Sequence, residues 1–215
     1  MLSGGSIYIG QNCNNITLSD IEIIESLAID DGGGICIDNL NVNILLQNIV
    51  INTSRTLTLS DDSYYYSYGS GGGIAIMNYN QNINLTNIEI NNCFSSIHGG
   101  GIHISYKNVN INLKYIVIEN CYSFFNGGGI VIEDYNSFIV LTKIMLSNCH
   151  SSHLGGGMFI SNNEKNIELN YISIHSCFSS KGGGISIYLE TSNAIFNEID
   201  IKNSHAEYSG GGKKK

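Results

Sequence analysis

The chain has 215 residues of which 42% are hydrophobic, enough to bury a core, so a disordered segment is not expected. Ten Lys and Arg stand against 18 Asp and Glu, for a net charge of -8, and Arg55 is the single arginine, which argues against a nucleic-acid surface. No apolar run approaches the roughly 20 residues of a bilayer span, and MLSGGSIYIG lacks the charged-then-apolar order of a signal peptide.

Along the chain, glycine clusters begin at Gly4, Gly32, Gly71, Gly99, Gly127, Gly155, Gly182 and Gly210, in steps of 28, 39, 28, 28, 28, 27 and 28 residues. Such a period marks a repeat architecture, with the 39-residue step a regular 28 plus an insertion of 11 near Arg55 to Ser70. Behind each cluster comes an i, i+2 apolar pair: Ile7/Ile9, Ile35/Ile37, Ile74/Ile76, Ile102/Ile104, Ile130/Ile132, Met158/Ile160 and Ile185/Ile187. A second pair follows about nine residues on, as in Ile83/Leu85 and Ile111/Leu113, and then a third, as in Ile88/Ile90 and Ile116/Ile118. Period-two pairs read as strands. Three short strands per turn predict an all-β, right-handed parallel β-helix of about seven coils, one domain over residues 1–215 with a non-repeat tail at 213–215. The glycines serve as corners, where φ is positive or backbones approach too closely for a Cβ.

The recurring GGGI element, followed by I-x-I and Asn-Cys (Asn92-Cys93, Asn120-Cys121), resembles right-handed parallel β-helices of the pectin-lyase-like superfamily. Within it the pattern is most similar to GGAI-repeat polymorphic outer-membrane proteins and adhesin-like surface solenoids. The resemblance implies an extracellular or cell-surface rod that is a structural or adhesin-like protein. Enzymes of this fold work from the outer face of the first sheet with clustered carboxylates, often calcium, and a Lys or Arg. On that face the outward column is Tyr8, Cys36, Ala75, His103, Val131, Phe159 and Ser186, and the next holds Asp38 and Glu133 in coils far apart. Carboxylates do not stack there, so no catalytic residue is assigned; a polysaccharide lyase or hydrolase is the alternative carried by the fold alone.

Cys93, Cys121, Cys149 and Cys177 share one column with Ser26, Ser54 and Ser204 in other coils, which suggests a structural ladder of free thiols at a small buried corner, while Cys13 and Cys36 look incidental. Asn41, Asn80, Asn108 and Asn136 form a further column, and Asn92, Asn120, Asn148 and Asn203 another, read as amide ladders that satisfy turn backbone. His98, His103, His150, His153, His175 and His205 are scattered; solvated turn residues are the bland reading and a weak metal site the sharper one. No metal or cofactor is assigned. Sequons at Asn15, Asn52 and Asn84 would carry glycans only in a secreted eukaryotic protein. In the insertion, Tyr64, Tyr65, Tyr66 and Tyr68 could form an aromatic platform for a glycan or a cell-surface protein, or a lid on their own scaffold. No cap is evident at either end. Expected partners are therefore neighbouring coils of a longer chain or identical units stacked head to tail as a filament.

Overall fold

The structure is a computed structural model describing residues 3–57, 69–188 and 190–210. It is a parallel β-solenoid of seven coils, built from three seven-stranded sheets in which each strand lies beside its counterpart in the adjacent coil, and those of the inner coils have one on either side. Partners are 28 residues apart, as in Ile102↔Ile130, Ile111↔Ile139 and Tyr122↔His150, 39 apart across the insertion, as in Ile35↔Ile74, and 27 apart between the last two coils, as in Met158↔Ile185. No described helix is long and apolar enough to cross a membrane.

Coil four shows the unit. Ile102–Ile104 belongs to the first sheet, Val109–Glu119 to the second and Tyr122–Ser123 to the third. The second and third apolar pairs therefore share one eleven-residue strand, with a corner inside it. Between Leu113 and Ile116 the chain passes through Tyr115 at φ 56°, which shifts the alternation by one residue and returns Ile116 and Ile118 to the interior. The remaining strand is a two-residue segment behind the Cys column. Its inward member is small, from Ala28 and Thr56 through Ser95, Ser123, Ser151 and Ser179 to Ala206, and all are buried. The serine hydroxyls donate to carbonyls of the next corner, Ser95 to His98 O at 2.8 Å and Ser123 to Asn126 O at 2.8 Å, which meets the cost of enclosing them.

The aliphatic pairs stack into one continuous core from Ile9 to Ile174. Each such side chain taken out of water contributes about 1.5–3 kcal/mol. Every corner between these strands needs a left-handed residue. After the first sheet it falls at Asn12, Leu40, Tyr79 and Lys107; before the second apolar pair at Asn15, Asn43, Asn82 and Asn110; within the long strand at Asp20, Asn48 and Asn87; beside the Cys column at Asn92, Asn120 and Asn148. Asparagine tolerates this conformation better than other non-glycine residues, which accounts for its abundance.

The glycine triplet has three separate reasons. Gly99 lies at φ +64°; a Cβ on Gly100 would sit 2.6 Å from Tyr122 O; one on Gly101 would sit 2.7 Å from Ile118 Cγ2. The first glycine packs so closely on the first sheet that the outward column there is covered. Cys36, Ala75, His103, Val131 and Phe159 are buried, a correction to the expectation of a solvent-facing column and of an incidental Cys36. The flanking strands fix where the eleven inserted residues fall within the stretch from Arg55 to Ser70. Arg55–Thr56 forms the regular third strand beside Leu27–Ala28, and Gly69 takes the place that Ile97 holds in the next coil, so the extra residues are 58–68.

Candidate functional site

The covered outer face of the first sheet gathers most of the buried ionisable groups. His103 in coil four and Glu133 in coil five meet at 2.9 Å from Nε2 to Oε1, with only 6% and 13% of their side chains exposed. Burial pushes the Glu133 carboxyl up, but the His103 hydrogen bond and the His103 charge outweigh it and hold the carboxyl below its usual range. His98, at the corner ahead of Gly99, has its ring 6.2 Å from that of His103. Burial drives its pKa down to about 4, so it is neutral near pH 7. The Nδ1 atoms of both histidines are buried without a hydrogen-bond partner among the described residues. Two coils down, Tyr8 donates to Asp38, and that bond first, with burial second, raises the phenol to about 12. Asp31, like Asp38 but unlike the exposed Tyr8, is enclosed, and its Oδ1 accepts the N–H groups of Gly69 at 3.0 Å and Ser70 at 2.9 Å.

Chemically, this cluster holds charge inside a wall. Asp38 and Glu133 stand three coil steps apart, about 14 Å at sheet spacing, beyond the roughly 5–9 Å over which two carboxyls share a glycosidic bond. Among the described residues, no group of three or more His, Cys, Asp or Glu is placed to hold a metal ion.

At the adjacent corner, the expected amide ladder lies inside the protein. The N–H groups of Cys13, Asn41, Asn80 and Asn108 donate to the Oδ1 atoms of Asn41, Asn80, Asn108 and Asn136 at 2.8–2.9 Å. Cys13 occupies the first position and Glu164 the last, where it accepts Asn136 Nδ2 at 3.3 Å. Burial raises the Glu164 pKa to about 8, and its Oε2 has no partner among the described residues. The other asparagine column, Asn92, Asn120, Asn148 and Asn203, supplies left-handed backbone, while outer amide ladders form elsewhere, as from Asn82 to Asn43 and Asn110 to Asn82.

Cys93, Cys121, Cys149 and Cys177 line the core as free thiols, each donating to the carbonyl two residues before it at 3.3–3.4 Å. Burial pushes the Cys121 thiol well up; contact with Cys177, then burial, does the same to Cys149. Tyr64, Tyr65, Tyr66 and Tyr68 lie outside the described residues. Gly69, the first described residue after them, has a carbonyl that accepts Thr56 Oγ1 at 2.5 Å and Ser95 Oγ at 3.1 Å.

The sequence reading missed two aromatic arrays. On the third sheet Phe94, Tyr122, His150, Phe178 and His205 stack with centroids 4.7–6.2 Å apart and planes within 28°. Their faces are spent on one another, leaving ring edges outward. Near the first corner, Lys107 Nζ lies 4.7 Å over Tyr106 and 5.8 and 6.0 Å from the Tyr79 and Tyr135 rings. Both follow from residues 28 apart, a signal available only once outward columns are aligned as carefully as inward ones. No family model, no curated protein and no solved structure matches the chain.

Proposed function

We propose that the chain is a non-catalytic structural rod of an adhesin-like surface solenoid, working outside the cell. One observation carries this reading: the buried charged groups of the first sheet's outer face are enclosed by the glycine corners, so the face used for chemistry in the similar pectin-lyase-like enzymes offers no open slot. Uniform coils with a polar exterior suit a spacer that holds binding surfaces away from a membrane. Incubating the purified chain with neutral and acidic polysaccharides and assaying new reducing ends or unsaturated products tests it. The expected result is no product; cleavage that disappears in Asp38→Asn or Glu133→Gln would refute it.

The open end of the core favours association as part of the same reading. In coil seven the inward residues Ile187, Phe196 and Ile201 are 46%, 38% and 45% exposed, where their counterparts Ile160, Leu169 and Ile174 are fully buried. Among the described residues, strands Ile185–Tyr188 and Ile195–Lys202 pair on one side only. Such an edge is a template for further coils, whether of the same chain or of a second copy stacked head to tail.

A further inference from the structure

A second tyrosine-lysine-tyrosine column, on the long-strand sheet of coils four to six, is built differently from the one around Lys107. Tyr115, Lys143 and Tyr171 follow one another at 28-residue intervals, all left-handed at φ 56–58°. In coils one to three the same position holds Asp20, Asn48 and Asn87, joined by amide hydrogen bonds of 3.0 and 3.1 Å. Tyrosine and lysine give up those bonds and take on about 1 kcal/mol each of left-handed strain. Strain held at consecutive positions directs attention to what the side chains do outside the fold.

Around Lys107 the rings close on the ammonium and on each other. Around Lys143 only the Tyr171 ring stays open. Lys143 Nζ is 5.1 Å and Lys114 Nζ 4.9 Å from the Tyr115 ring, whereas Tyr171 has neither a ring nor an ammonium partner among the described residues. Between the tyrosines lies a groove of about 280 Å³ floored by Val117 and Met145, with Ser173 at one side. Tyr115, Met145 and Tyr171 are 41%, 44% and 51% exposed.

From this geometry we infer a binding site for a glycan segment carrying a single acidic sugar between neutral ones. The rings are two coil steps apart, about 9.6 Å, a length that two linked pyranoses span. The Tyr171 ring offers an apolar face to a sugar C–H patch, and both tyrosines offer hydroxyl tips to sugar oxygens, with the Tyr115 ring holding the two ammonium groups in place. The two ammonium groups are an island of positive charge on a chain of net charge -8, and they select a carboxylate or sulfate. Glu89 in coil three and Glu198 in coil seven stand exposed at either end, in register with Val117 and Tyr171, and repel an anion that extends past the island. The site goes beyond the reading of the chain as a rod and stands or falls separately from it.

Titrating the purified chain with labelled tetrasaccharides tests this: an all-neutral one, the same with one internal glucuronate, and an all-uronate one, beside a Glu- and Tyr-containing peptide. The single-acid probe is expected to bind at least about tenfold tighter than the others. Lys143→Gln should remove that preference, and Tyr171→Asn should remove binding. The triple change of Tyr115, Lys143 and Tyr171 to Asn should abolish binding while raising the thermal midpoint, because it extends the amide ladder. No binding by the unaltered chain, equal or tighter binding of the all-uronate or peptide probe, binding that survives the triple change, or a lowered midpoint in that variant would each overturn the inference.

Discussion

Glu164 ends an asparagine ladder with a carboxyl whose folded pKa is about 8, against about 4.5 in the unfolded chain. The fold keeps the proton that the unfolded chain releases, so this contribution is complete below pH 4.5 and is lost as pH rises toward 8. His98 works in the opposite direction. With a folded pKa near 4 against 6.5 unfolded, it contributes fully above pH 6.5, and up to about 3 kcal/mol is lost as pH falls to 4. The thermal midpoint should therefore peak at about pH 5–6.5. Glu164→Gln should raise the midpoint at pH 8 and leave it nearly unchanged at pH 4.5; a pH profile identical to the parent's would contradict the assignment. Asn108→Ala would strip the Asn80 N–H of its acceptor in a dry corner and should cost about 1–3 kcal/mol by denaturant unfolding.

At the scale of the element, the glycine corner gives the sharpest contrast. Gly100→Ala would drive a Cβ into the Tyr122 carbonyl, whereas the nearest atom to a Cβ on Gly10 is 3.5 Å away. Gly100→Ala should lower stability by more than about 2 kcal/mol and Gly10→Ala by less than about 1 kcal/mol; equal effects in denaturant melts would show that the corners do not pack as described. The aliphatic pairs were legible in the sequence because Ile102/Ile104 or Ile83/Leu85 announce period two without ambiguity. The third strand was not, because Ser95 or Ser123 faces inward while Phe94 or Tyr122 faces out, reversing the usual pattern. The long strand read as two because Asn87 or Tyr115 shifts the phase within an unbroken hydrogen-bonded run. The buried His103–Glu133 pair was hidden for a related reason: alternation places both on the outer face, and only the folded corner covers them. Of the candidate ligand groove, the sequence showed the residues but not that an amide ladder stops where Tyr115 begins.

For the molecule as a whole, stability comes from neighbouring coils, and the coil-seven surface should drive association. Sedimentation over a hundredfold range of concentration is expected to show growing assemblies, reduced when Ile187 and Ile201 are changed to Lys; a concentration-independent monomer would refute stacking through that face. The central claim is that each repeat stands one rung above the last, from coil one to coil seven, whether the step is 28, 39 or 27 residues. Pulsed electron-spin distances measure this directly, using label pairs from Glu22 to Met145, Ser173 and Asp200 in a background whose six cysteines are serine. The expected backbone separations are about 19, 24 and 29 Å, rising by one sheet spacing per coil. Separations that fail to rise in even steps, or that fall as the chain doubles back, would contradict a parallel solenoid.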